Sequence, residues 1–263
     1  MSTQYANLGV FLVEPSATQQ HIIRNYLQEM GITDITCCES GSDVFANLKK
    51  RPVDLIVSAM YLPDMTGSEL VYELRQNDDG YEMAFMLISS ETNLTSLEPI
   101  RQAGAIAILP KPFSTEELQI ALAATVDYLN PQKATLEHFD IEDVSVLLVD
   151  DSPLALKYIS RILNDIGIEN ISQVHDGSAA INLLEQRYFD LIVTDYNMPD
   201  VDGLQLTTYV RDQSTQKNIP IIMITSERNS QRLAAIKHAG VSAVLDKPFE
   251  PASIRSFIVN LLN

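Results

Sequence analysis

Basic residues are scarce in this chain. It has 18 lysines and arginines against 35 aspartates and glutamates, a formal net charge of −17. The deficit is uniform, with 17 acids and 8 bases over residues 1–135 and 18 acids and 10 bases over residues 136–263. No cluster of lysine or arginine stands out, which argues against direct DNA or RNA binding. The same negative field repels an anionic membrane surface. Cysteine is limited to the neighbours Cys37 and Cys38 in an apolar, strand-like stretch. Such a pair makes neither a disulfide framework nor a zinc site, and reads as two reduced core or near-surface thiols. The N-terminus lacks a basic segment leading into an apolar one, and no apolar run reaches membrane-spanning length. A cytoplasmic protein is expected.

What the chain does have is a copy of itself. Residues 14–113 recur at 150–249 with a constant offset of 136 and no insertion or deletion. Gly31, Gly41, Gly67 and Gly104 face Gly167, Gly177, Gly203 and Gly240, and Lys111-Pro112-Phe113 faces Lys247-Pro248-Phe249. Hydrophobic residues make up 46% of 263 positions, enough for two cores. Two domains are therefore expected, 1–130 and 144–263. The intervening 131–143 is polar and acidic with Leu136, Phe139 and Ile141 interspersed, and reads as a partly ordered linker.

In the second copy the apolar run Val144–Asp150 predicts a buried strand. Ser152 and Pro153 then open a helix that Gly167 ends. Strands follow at Ile171–His175, Asp190–Asp195, Pro220–Thr225 and Val241–Asp246. Helices fall at Ser178–Arg187, Gly203–Asp212, Ser230–Ala239 and Ala252–Leu262. Five alternations of strand and helix predict an α/β domain with a parallel five-stranded sheet between helices, and the first copy reads alike from Leu8 to Leu129.

Functional groups in such a sheet gather at the carboxyl ends of the strands. Asp150 and Asp151, Asp195, Thr225 and Lys247 all fall there. Carboxylates crowded to 4 Å repel by roughly 4 kcal/mol per pair at an effective dielectric near 20. A divalent cation that favours hard oxygen ligands offsets that repulsion, and magnesium suits the set. Lys247 adds a fixed positive charge and Thr225 a hydroxyl donor. Such a group can hold the oxygens of a transferring phosphoryl group, with an aspartate as nucleophile.

The runs VLLVDDSP (146–153), DLIVTDYNMPDVDG (190–203), MITS (223–226) and DKPF (246–249) resemble the receiver domain of two-component response regulators. That resemblance implies a CheY-like, flavodoxin-like doubly wound domain with strand order 2-1-3-4-5. It implies Asp195 as phosphoacceptor, with Thr225 and Lys247 binding the acyl phosphate. Asp151, Asp195 and the Asn197 backbone carbonyl would ligate magnesium, and Asp150 would act mainly through a water. The Lys247–Pro248 peptide would be cis, and Asn197 and Glu227 stand where the family tunes the lifetime of the phosphate. One departure is Val244, three residues before the lysine, where the family often carries an aromatic switch residue; the first copy has Ile108 there.

The first copy is a weaker match. It has Glu14 and Pro15 for the acid pair, Ala59 for Asp195, Ser89 for Thr225 and Lys111 for Lys247. Alanine offers no nucleophile and one carboxylate remains, so magnesium is expected in the second domain only. Glu14 is expected to pair with Lys111. The retained lysine and serine read either as scaffolding or as parts of a docking surface, and Met60, Tyr61, Leu62 and Met65 make the neighbouring loop more apolar than its counterpart.

The function expected is that of a phosphorelay response regulator. Asp195 would be charged by a histidine kinase or phosphotransfer protein, and output would pass to a downstream protein target, with homodimerisation among the contacts open to it. No effector domain follows the last helix, and Met1 reads as a natural start. The alternatives are a phosphorylation-independent adaptor, or the regulatory N-terminal part of a longer protein with an output domain. A flavin-binding protein of this topology needs a Ser/Thr-rich phosphate loop where Asp150 and Asp151 stand, and a haloacid-dehalogenase-type phosphatase needs an Asp-x-Asp motif that is absent. Apart from loss of its own phosphate, no catalysis is expected.

Overall fold

The computed structural model describes residues 5–76, 82–91, 93–138, 140–227 and 229–263. Met1 and Phe139, which entered the sequence reading, lie outside that set. The chain divides into two compact units, Met1–Asn130 and Pro131–Asn263.

The first unit runs β1 (Gly9–Val13), α1 (Ala17–Glu29), β2 (Asp34–Cys38), α2 (Gly41–Leu48), β3 (Leu55–Ala59), α3 (Gly67–Arg75), β4 (Ala84–Ser89), α4 (Leu94–Gln102), β5 (Ala107–Pro110) and α5 (Thr115–Leu129). The second repeats the series as β6 (Ser145–Val149), α6 (Pro153–Asp165), β7 (Asn170–Val174), α7 (Gly177–Gln186), β8 (Leu191–Asp195), α8 (Gly203–Asp212), β9 (Ile221–Thr225), α9 (Ser230–His238), β10 (Ala243–Asp246) and α10 (Pro251–Leu262). The sheets have the orders β2-β1-β3-β4-β5 and β7-β6-β8-β9-β10, with every strand pair parallel. Both are the doubly wound fold expected, in the expected strand order.

Burial explains the division of labour among strands. The inner strands GVFLV, LIVSA, AFMLIS, LIVTD and IIMIT are buried at every position, as both faces are covered. The edge strands DITCC and NISQV keep polar residues toward solvent. Helix starts follow from local chemistry. The Ser152 hydroxyl accepts from the Ala155 N–H with Pro153 in the first turn, while Thr66, Ser114 and Asp202 build full capping boxes. Gly167 takes a φ of 109°, where a side chain would also meet Ile141 at 2.8 Å, and α6 stops just before it.

Strand ends move by a residue or two from the sequence reading. β6 begins at Ser145 because Val144 closes a one-turn 3-10 helix over Ile141–Asp143. Residues 131–143 pack on the second unit. Ala134, Leu136 and Ile141 are buried, the Ala134 N–H donates to the Ile166 carbonyl at 2.8 Å, and the Glu137 N–H donates to Asn263 Oδ1 at 2.8 Å. No helix among the described residues is long and apolar enough to cross a membrane.

Two loop contacts hold the rims of the sheets. In the first unit the Asp64 carboxylate receives the Gly41 N–H at 2.9 Å, the Ser42 N–H at 2.8 Å and the Ser42 hydroxyl at 2.7 Å, all at the start of α2. The Ser42 hydroxyl first, then the backbone donors, pull its pKa down to about 2. A carboxyl group held below its unfolded value stabilises the fold above the unfolded pKa and loses that contribution as pH falls through the folded one. Asp64→Asn should therefore be less stable than wild type in urea unfolding at pH 7, with the deficit closing between about pH 4 and pH 2. Equal stabilities at pH 7 would refute the contact's role. In the second unit, a Cβ on Gly203 would lie 2.3 Å from the Asp195 carbonyl oxygen, backbone against backbone. Gly203→Ala is expected to destabilise by about 1–3 kcal/mol, as overpacking does, read as a lower urea midpoint.

Candidate functional site

The carboxyl ends of β6, β8, β9 and β10 bring the polar residues of the second unit together. Asp150 directly follows β6, and its N–H still pairs with the Val174 carbonyl at 3.2 Å. Its side chain is 0% exposed. Asp195 is the last residue of β8 and Thr225 the last of β9. Lys247 follows β10, tied there by its N–H to the Thr225 carbonyl at 2.8 Å. The Lys247–Pro248 and Lys111–Pro112 peptides are both cis.

Lys247 joins the buried acids. Its Nζ donates to Asp195 Oδ1 at 2.6 Å and to Asp150 Oδ2 at 3.1 Å, with the ammonium and both carboxylates at most 3% exposed. Each acid has a second support: Asp150 Oδ1 accepts the Ser152 N–H at 2.9 Å and Asp195 Oδ2 accepts the Asn197 N–H at 2.6 Å. Two carboxylates share one ammonium, so the buried charge does not cancel. Burial pushes the Asp195 carboxyl up to about 6 and raises Asp150, against the pull of Lys247. Burial acts to lower Lys247, but Asp195 and then Asp150 outweigh it, and the lysine stays above its ordinary value. The pocket is short of positive charge.

Thr225 is buried, and its hydroxyl accepts the Glu227 N–H at 2.9 Å. Asp151 and Asn197 lie at the exposed rim. Glu227 is turned away, its carboxylate taking the Asn229 N–H at 2.7 Å and Arg232 at 2.7 Å. Among the described residues no three acidic, imidazole or thiol side chains stand together as a metal cluster. The structure brings Asp150 and Asp195 together but leaves Asp151 at the rim; the two buried carboxylates are hard oxygen donors beside a buried deficit of positive charge, and that chemistry fits a hard dication.

The matching end of the first unit keeps the frame. Glu14 Oε2 meets Lys111 Nζ at 2.9 Å, the pair the sequence pointed to, and Glu14 Oε1 accepts the Ser16 N–H at 3.0 Å. The Ser89 hydroxyl accepts the Glu91 N–H at 2.9 Å, as Thr225 does for Glu227. Ala59 closes β3 with no polar side chain. Tyr61, taken in the sequence as part of an apolar loop, donates its hydroxyl to Glu91 at 2.8 Å. Periodicity could not have found that contact. The close approach of Gly203 to Asp195, by contrast, had a signal in the glycines repeated at 67 and 203, since a Cβ on Gly67 would lie 2.7 Å from the Ala59 carbonyl oxygen.

Comparison with known proteins matches these two units to one family. The model of the response regulator receiver domain fits residues 10–123 and again 146–259. The chemotaxis protein CheY-3 of Vibrio cholerae is 32% identical over 114 residues, 43% of this chain and 88% of that protein. The chemotaxis protein CheY of Pseudomonas aeruginosa is 34% identical over 106 residues, 40% of this chain and 86% of that one. Among solved structures, chemotaxis protein CheY4 of Vibrio cholerae is 33% identical with a TM-score of 0.43, covering 45% of this chain and 98% of its own.

The ion pair of the first unit yields a stability test. Lys111→Ala leaves the Glu14 carboxylate, 6% exposed, without its cation. A loss of about 2–3 kcal/mol is expected, below the range for fully buried pairs because Lys111 is partly solvated. The double variant Glu14→Gln with Lys111→Met should recover most of it. Urea unfolding of the three proteins measures this, and an unchanged midpoint in Lys111→Ala would remove the pair from the account.

Proposed function

The chain belongs to the response regulator receiver family over both of its domains, and on that premise we propose that the second domain takes a phosphoryl group on Asp195 while the first takes none. Receiver domains serve two-component signalling, and this chain carries two of them in tandem. The observation that supports the division is the contrast between the strand ends: Asp195 bonded to a buried Lys247 at 2.6 Å in one domain, Ala59 in the other.

In this reading an Asp195 carboxylate oxygen attacks the phosphorus of a phosphohistidine on a histidine kinase or phosphotransfer protein. The P–O bond forms as the P–N bond breaks, and the imidazole nitrogen leaves with the bonding pair. Lys247 balances charge on the phosphoryl oxygens, and the Thr225 hydroxyl donates to one of them. Asp150, Asp151, Asp195 and the Asn197 carbonyl would hold magnesium, which when bound neutralises charge on the phosphoryl group. The Asn197 N–H, already 2.6 Å from Asp195 Oδ2, keeps that carboxylate aimed. The only catalysis in this reading is hydrolysis of its own acyl phosphate. Output runs through contacts with a downstream protein or a second copy of the chain, in the cytoplasm.

Intact mass after incubation with magnesium and acetyl phosphate tests the assignment. One added phosphoryl group is expected in the wild type and in first-domain variants such as Lys111→Ala, and none in Asp195→Ala. No uptake by the wild type would favour an adaptor that works without phosphorylation. A label surviving in Asp195→Ala would mean that the acceptor lies elsewhere.

A further inference from the structure

The residue after the acceptor is built into the core. Tyr196 is 8% exposed and forms a buried cluster with Met223 of β9 and Ile236 of α9, against which Leu204, Leu233, Val241 and Val244 pack. Its backbone is pinned on both sides, the N–H to the Ile224 carbonyl at 3.2 Å and the carbonyl to the Gly203 N–H at 3.0 Å. The peptide is thus tied to β9 and to the start of α8, while the ring reaches Ile236 of α9 in a cluster that also includes Met223 of β9 and Leu204 of α8.

The cluster around that ring takes the apolar side of α9. Among the described side chains of that helix, Ile236 is buried and Leu233 half-buried, and both belong to the Tyr196 cluster. By contrast, α8 buries Leu206, Thr207 and Val210, and α10 buries Pro251, Ile254 and Ile258. Local polar contacts add to it, among them the Asn229 cap and the 2.7 Å contact of Arg232 with Glu227. Val244 of β10 packs against the same cluster.

We propose that Tyr196 is the positioning residue that carries the state of Asp195 to α9, moving the helix through its ring. The proposal rests on Asp195 as acceptor. A phosphoryl group adds about two negative charges one peptide bond from the tyrosine. A shift of that peptide cannot be absorbed by the ring without displacing Ile236, because close-packed side chains pass displacement on. The matching residue of the first domain is Met60, whose flexible thioether would absorb such a shift.

Hydrogen exchange by mass spectrometry on the full chain reads α9 directly, with intact mass taken on the same samples. In wild type, magnesium with acetyl phosphate should change exchange across Ser230–His238. Tyr196→Met, which borrows the first domain's residue, should speed exchange there by about threefold or more without any phosphodonor, with α10 unchanged. With the donor it should gain its phosphoryl group and lose the α9 response, while Tyr196→Phe keeps both. Wild-type exchange and a wild-type response in Tyr196→Met would overturn the proposal. If wild type takes no phosphoryl group, the acceptor assignment fails, and the donor-free comparison still decides whether Tyr196 anchors α9.

Discussion

Two buried carboxylates, Asp150 and Asp195, compete for a single ammonium, that of Lys247, and the second domain is arranged around the imbalance. Three parallel strands deliver the three groups to one edge. The backbone N–H groups of Ser152 and Asn197 take up further lone pairs of the acids. Burial keeps Lys247 from escaping to water and pushes Asp195 toward protonation, so the pocket holds unsatisfied affinity for positive charge. In the proposed function, that affinity would let the oxygen ligands recruit a dication and, with it, an anionic phosphoryl group.

The first domain shows the same architecture with the imbalance removed. Glu14 and Lys111 pair one to one, and Ala59 brings no charge. The serine hydroxyl at the end of β4 still holds the following loop, and both Lys–Pro peptides share one geometry. These geometries are common to both domains, whether an aspartate or an alanine ends the third strand. Tyr61 adds a hydrogen bond across the mouth of that pocket, in place of the short polar Asn197 of the second domain.

Much of this was legible because inner parallel strands are apolar throughout and end abruptly in polar residues. LIVTD and IIMIT announce both their strand and the side chain each one delivers. The Glu14–Lys111 pair was readable for a similar reason: one acid and one base occupy positions that the repeat brings together. Contacts between loops were not readable. Tyr61 with Glu91, and Glu227 turned toward Arg232 rather than toward Asp195, depend on rotamers that no periodicity encodes. The packing of Ala134 and Ile141 was hidden for another reason, as a few apolar residues in a polar stretch look like a linker until a partner such as Gly167 is known.

The one-to-one pair of Glu14 and Lys111 also bears on how such a duplicated chain can change over generations. In the proposed reading, replacing an acceptor aspartate by alanine would relieve charge repulsion between buried carboxylates, a step downhill for the fold. Regaining it would be uphill: an aspartate at position 59 would enter a pocket where Lys111 already pairs with Glu14, with Pro15 where the second domain has a further acid. The duplication thus works as a ratchet. In the proposed reading, a copy without an acceptor would gain no stability by recovering one, and its surfaces would be free to diverge while the other copy stayed bound to the demands of chemistry.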